Sequence, residues 1–137
     1  MKKLKGFRYL GLAVVMIALL SFKTDNKPGI HFIESGWSDA VKQAKQQEKP
    51  MFVFIRTTTC AISKKMDAQI FKDRTVADFF NQHFVCVILD PDNVMDNLRV
   101  TTWGATAVPT YVYLDTKRKK VLMASGFEDQ KTILQEA

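Results

Sequence analysis

Apolar and polar positions change period several times along this chain, and each change marks an element. Trp37, Val41 and Ala44 recur at helical spacing, with Ser38 and Asp39 able to cap the start. That helix should end before Pro50, because a proline disfavours helical backbone in the residue before it. "MFVFI", Met51–Ile55, is continuously apolar, as expected of a strand buried on both faces. A helix should begin around Cys60, with Met66 and Ile70 on its apolar side. Asp73 can cap another helix that carries Val76, Phe79 and Phe80. Phe84–Leu89 reads as the next strand. A short helix over 93–100 is expected to turn Val94, Leu98 and Met95 inward. "TYVYL", Thr110–Leu114, and "KVLMA", Lys120–Ala124, alternate well enough for an antiparallel pair. Gly126 breaks the chain, and a last helix should run over Gln130–Ala137.

In this order the first two strands flank a helix and form a parallel, right-handed βαβ unit, while the last two form a hairpin. The fold class is therefore α/β. A mixed sheet of about four strands with helices on both faces follows, which is a three-layer α/β/α arrangement.

Composition changes little of this. The chain has 137 residues, 47% hydrophobic and 25% charged, enough for one packed domain. Its first 22 residues stand apart. Lys2, Lys3, Lys5 and Arg8 precede "YLGLAVVMIALLSF", Tyr9–Phe22, which carries no charge. A basic start followed by a short apolar run predicts an export signal. The run is shorter than the roughly 20 residues of a spanning helix. Cleavage after it, retention as an inner-membrane anchor through residues 9–22, and a buried helix of a cytosolic protein all stay open. The first two place the domain in the periplasm or outside the cell. No cysteine follows the run to take a lipid. The expected division is 1–22 leader, 23–30 linker, containing Pro28 and Gly29, and 31–137 domain.

The net charge of +6 belongs mostly to the leader. Without its four basic residues, 16 basic face 14 acidic, a net of +2, so no nucleic-acid partner is implied. "KRKK", Lys117–Lys120, lies between two apolar runs and reads as a solvated hairpin tip. His31 and His83 have no neighbours at ligand spacing, and Cys60 and Cys86 lie too far apart for a zinc motif, so no metal or other cofactor is expected. Cys86 sits inside an apolar strand and reads as an inert core residue, so a Cys60–Cys86 disulfide is not expected.

Three segments in this order and spacing carry a resemblance. "EKPMFVFIRTTTCAISKKM", "IFKDRTVADFFNQHFVCVILD" and "WGATAVPTYVYLD" together resemble the thioredoxin superfamily. The branch they are most similar to is the exported one that includes the C-terminal domain of membrane thiol:disulfide interchange proteins. The resemblance runs from about Trp37 to Ala137. It implies Cys60 as the attacking cysteine and Ser63 as its partner, since Ser63 stands where the family keeps its resolving cysteine. It implies that Pro109 is cis and lies across from Cys60. Thr59, Ala61, Ile62, Val108 and Pro109 then form the surface a substrate meets. Two further departures are Thr59 in place of a tryptophan and Phe54 where many members carry a buried acid. The last helix is short for this fold, which leaves loose terminal packing or a longer chain open.

A free thiol with pKa near 8.5 is only a few per cent thiolate at pH 7. The start of a helix favours the thiolate through its N–H groups and dipole, and Lys64 stands one turn on. Two readings follow. One is a single-cysteine thiol–disulfide exchange protein, isomerase-like or forming mixed disulfides with protein or small-molecule thiols. The other is a non-catalytic module that binds extended polypeptide beside Pro109.

Overall fold

A computed structural model describes residues 27–137. The leader and residues 23–26 of the linker lie outside the described residues. In chain order the elements are β1 (Phe32–Ile33), α1 (Trp37–Gln47), β2 (Met51–Ile55), α2 (Ala61–Gln69), α3 (Arg74–His83), β3 (Val85–Leu89), α4 (Val94–Thr102), β4 (Thr110–Leu114), β5 (Lys120–Ser125) and α5 (Gln130–Glu136).

The sheet has five strands in the order β1-β3-β2-β4-β5. The first three run parallel, β4 is antiparallel to β2, and β5 is antiparallel to β4. The additional strand is β1, whose two residues pair Phe32 with Cys86 and Ile33 with Val87. Two residues show no periodicity, so sequence pattern alone does not reveal this edge.

Side-chain alternation divides the core into two chemically different layers. Phe52, Phe54, Cys86, Tyr111 and Tyr113 point to one face, where they meet Met66 of α2, Val76, Ala77 and Phe80 of α3, and Ile133 of α5. Met51, Val53, Ile55, Val85, Val87, Leu89, Val112 and Leu114 point to the other, beneath Ala40 and Ala44 of α1 and Val100 of α4. The first face is aromatic. Phe52 and Phe80 meet edge to face at 4.6 Å, and Phe54 stacks on Tyr111 at 5.7 Å. Truncating such a ring to alanine typically costs about 3–5 kcal/mol.

Three local expectations need correction. The first concerns the start of α1. Neither Ser38 nor Asp39 caps it; the cap is Gly36, with φ 97° and no side chain, and Asp39 sits in the first turn, where its charge suits the helix dipole. The second concerns α4. Val94, Met95 and Leu98 are 74%, 68% and 61% exposed, not inward. The Asn93 carboxamide accepts from the Met95 and Asp96 N–H groups at 2.9 and 3.2 Å, and Asp96 accepts from the Asp90 N–H at 3.1 Å. These bonds set the phase of the helix, so that Val100 is its buried residue. The third is minor: Phe84 closes α3 and β3 starts at Val85.

Other expectations match. The Asp73 carboxylate accepts from the Val76 N–H at 3.1 Å, and α1 ends before Pro50. The Lys117–Lys120 tip is held by Asp115, which accepts from the N–H groups of Lys117 and Lys119 at 2.8 Å each.

Candidate active site

Strand β2 runs into a short polar stretch, Thr57–Thr59, and Cys60 then caps α2 in extended conformation, φ −71° and ψ 116°. Its carbonyl already belongs to the helix, accepting from the Lys64 N–H at 3.1 Å. No side chain occupies the cap, so the N–H groups of Ile62 and Ser63 are left for the sulfur.

The Cys60 thiol donates to the carbonyl of Val108 at 3.7 Å, a contact spanning 48 residues of chain. The Val108–Pro109 peptide is cis. Pro109 is buried and Val108 half-buried, while Thr59, Ala61 and Ile62 are exposed around the half-buried sulfur. The structure thus brings together all seven residues singled out from the sequence: Thr59–Ser63 at one lip, and Val108 and Pro109 at the other.

Ser63 is fully buried, and its hydroxyl has no hydrogen-bond partner while the thiol is protonated. A thiolate changes this, because it accepts where the thiol donated. The Ser63 hydroxyl, followed by the Ser63 and Ile62 N–H groups, holds the Cys60 thiol below its ordinary range, against a smaller desolvation effect. The lowering comes from neutral donors. Lys64, expected to assist, is exposed and takes no part in it.

Cys86 shows the opposite state. Both cysteines are free, and burial in β3 pushes the Cys86 thiol far up, with only a weak opposing pull from Lys49. Phe54, at the position where the resemblance points to a buried acid in other members, is packed at 4.8 Å against Phe71. Asp67 of α2 lies 3.6 Å from Arg56, and burial raises its carboxyl despite that partner.

Sequence reasoning missed one support of the Pro109 side of the site. The Gly126 N–H donates to the Pro109 carbonyl at 3.0 Å, and the Tyr111 hydroxyl donates to the Gly126 carbonyl at 2.5 Å. This places Phe127, 42% exposed, beside α2, with Lys65 Nζ 4.2 Å from its ring centre. The glycine was legible only as a break. A groove of about 830 Å³ along β1, lined by Lys27, His31, Phe32 and Arg56 among others, includes none of the Cys60 site residues. Among the described residues no cluster of histidine, cysteine or carboxylate side chains could hold a metal ion.

Residues 33–116 match the family profile described as thioredoxin-like. The chain belongs to the thioredoxin-like family. A protein of Bacteroides thetaiotaomicron, provisionally assigned as a disulphide-isomerase, is 32% identical, with a TM-score of 0.71 over 80% of this chain and 90% of its own. The oxidised C-terminal domain of Neisseria meningitidis DsbD superposes with a TM-score of 0.62 over 78% of this chain and 95% of its own. At 13% identity that match shows the fold alone. An uncharacterized protein of Archaeoglobus fulgidus is 27% identical over 67% of this chain and 68% of its own. The thioredoxin-like α/β fold, with its mixed sheet between two helical layers, is therefore established. It is a fold of thiol–disulfide exchange.

Proposed function

We propose that this chain is an exported, single-cysteine thiol–disulfide exchange protein whose nucleophile is Cys60. The observation that carries the reading is the setting of that sulfur. It sits at the start of α2, is stabilised as thiolate by the Ser63 hydroxyl and two N–H groups, and faces the carbonyl of Val108 beside Pro109. Thr59, Ala61, Ile62, Val108 and Pro109 form the surface for the substrate.

The Cys60 thiolate attacks one sulfur of a substrate disulfide. That S–S bond breaks, a Cys60–substrate disulfide forms, and the other sulfur leaves as a thiolate that takes a proton from water. Ser63 cannot complete an intramolecular second step, since it offers a hydroxyl, and Cys86 is locked in the core. Release therefore falls to a second cysteine of the substrate or to a small external thiol. In the first case the substrate's disulfide is rearranged with no net oxidation. In the second a new mixed disulfide carries the oxidation away. Residues 1–22 supply export, by cleavage or as an anchor.

The test is the pH dependence of Cys60 alkylation in the folded protein, together with reactivation of a scrambled disulfide protein in a glutathione buffer. An alkylation midpoint below the roughly 8.5 of a free thiol, with reactivation that Cys60→Ser abolishes, is expected. A midpoint at or above that value without reactivation would leave a polypeptide-binding module instead. Fractionation of expressing cells tests export; retention of the chain in the cytosol would refute it.

A further inference from the structure

Three of the seven large apolar side chains that stand exposed among the described residues share the first turns of α4: Val94, Met95 and Leu98. They lie at i, i+1 and i+4, on one side of the helix, while Val100 faces the sheet. Among the described residues nothing covers them. An exposed apolar cluster, unlike a lone exposed leucine, marks a surface that something else covers.

The topology sets this cluster beside Cys60. Ile55 of β2 and Leu89 of β3 are partners in register on parallel strands. Cys60 and Val94 each stand five residues beyond that pair, at the heads of α2 and α4. Helix α2 packs on the aromatic face of the sheet and α4 on the other. Neighbouring parallel strands whose helices leave to opposite faces open a crevice at their carboxyl ends, where α/β sheets take ligands. The far end of α4 also returns to the site. Trp103 closes the helix, and the chain then reaches Val108, whose carbonyl receives the Cys60 thiol.

Charge narrows the occupant. Over residues 90–102 three carboxylates, Asp90, Asp92 and Asp96, stand against one cation, Arg99. Arg99 lies 4.5 Å from the ring centre of Trp37, so its charge is turned toward α1. Two copies meeting stripe to stripe would bring the carboxylates together, and an anionic lipid surface would be repelled. A polypeptide that offers apolar side chains among lysines and arginines matches both features. It also has the reach. Between Cys60 and the stripe a ligand must cross the end of the sheet, which an extended chain does at roughly 3.3 Å per residue and a small disulfide cannot. Ile62, 45% exposed beside Cys60, gives such a chain an apolar contact on the other side.

We propose that Val94, Met95 and Leu98, with Asp92 just before them, form a docking surface for basic, apolar stretches of non-native polypeptides, and that such disulfide-bearing chains are what Cys60 attacks. The stripe holds the substrate chain and takes no part in the sulfur chemistry. The substrate class rests on the reading of Cys60 as nucleophile; the docking surface does not.

The surface is therefore tested first without that chemistry, in the full chain carrying Cys60→Ser. The probe is ribonuclease, reduced and carboxamidomethylated so that it stays unfolded, basic and free of thiols, with binding followed by fluorescence anisotropy. Adding Met95→Gln and Leu98→Gln, which keep good helix formers at exposed positions, should weaken binding at least about tenfold. Asp92→Lys, which leaves the apolar stripe intact, should weaken it a few-fold and flatten its dependence on salt. Equal affinities in all three proteins would overturn the proposal. So would equally tight binding of an acidic unfolded chain, carboxamidomethylated α-lactalbumin. Self-association, or binding to phosphatidylglycerol vesicles, that the Met95→Gln and Leu98→Gln changes abolish would overturn it too. With Cys60 restored, the rate constant for scrambled ribonuclease, divided by that for a small neutral aromatic disulfide, should fall by the same factor in the stripe variant. Loss of binding with no change in that ratio would overturn the substrate class. A Cys60 that attacks neither disulfide would refute the exchange reading and leave the binding result standing.

Discussion

Cys60, at the helix start that follows β2, and Cys86, inside the neighbouring parallel strand β3, carry the same side chain and have opposite chemistry. Cys60 lies past the end of β2, at a helix start with unsatisfied N–H groups, where the thiolate gains donors. Cys86 lies inside β3, paired in register with Phe52 and packed against the aromatic layer, where a charge would gain nothing. The residue type does not decide reactivity. The supply of donors and the access of water do.

The largest expected effect is the difference in reactivity itself. Cys86 can react only when the core opens, and a domain stable by about 5 kcal/mol or more opens to less than about one part in 10³. At pH 7 the folded protein should be alkylated at Cys60 at least about 10³-fold faster than at Cys86, read by peptide mapping over time. Comparable rates at the two positions would erase the comparison. A Cys60–Cys86 disulfide in a non-reducing map would overturn the placement of both.

Stability should show the reverse ranking. Cys86→Ser buries a hydroxyl in an apolar layer, at a cost of about 2–3 kcal/mol. Cys60→Ser, at the rim, should fall within about 0.5 kcal/mol of wild type. Urea unfolding of the two variants checks this; a mild Cys86→Ser would mean that the core holds a partner for the hydroxyl.

The legible and hidden parts of this molecule divide along similar physical lines. β2, β3 and β4 could be read from the sequence because strands buried on both faces must be apolar throughout. Cys60 and Ser63 could be read because their spacing lies within one helical turn and resembles a family pattern. The support from Gly126 could not, because it reaches the site through one backbone bond to Pro109, 17 residues back. The exposed stripe of Val94, Met95 and Leu98 misled for a different reason. Its spacing is helical, but helical phase is set by the Asn93 cap and the Asp90–Asp96 bond, which periodicity does not report.

The comparison can also be sharpened by adding a thiol. Ser63→Cys places a second sulfur one turn along α2, on the same side as Cys60. A disulfide between Cys60 and the introduced thiol should form, and insulin reduction with a thiol donor should rise about tenfold over wild type, because release becomes intramolecular. If the disulfide forms and turnover stays flat, Phe54 and Thr59 limit the site more than the missing thiol does. If no disulfide forms, the placement of Cys60 at the cap is wrong.

Ser63→Ala is the smallest change and separates two roles of one hydroxyl. In the protonated site the Ser63 hydroxyl is buried without a partner, which costs stability. In the thiolate it is the strongest of the donors that hold Cys60 below its ordinary range. Removing it should therefore move two measurements in opposite directions. Below the alkylation midpoint, where Cys60 is a thiol, stability to urea should stay level or rise by up to about 1 kcal/mol. The alkylation midpoint itself should move up, and the rate at pH 7 should fall a few-fold. It should not rise all the way to that of a free thiol, because the backbone N–H groups of Ile62 and Ser63 remain. A variant that loses stability and keeps its alkylation profile would show that Ser63 packs the helix and does not serve the sulfur. The difference between Cys60 and Cys86 would then rest on backbone donors and exposure alone.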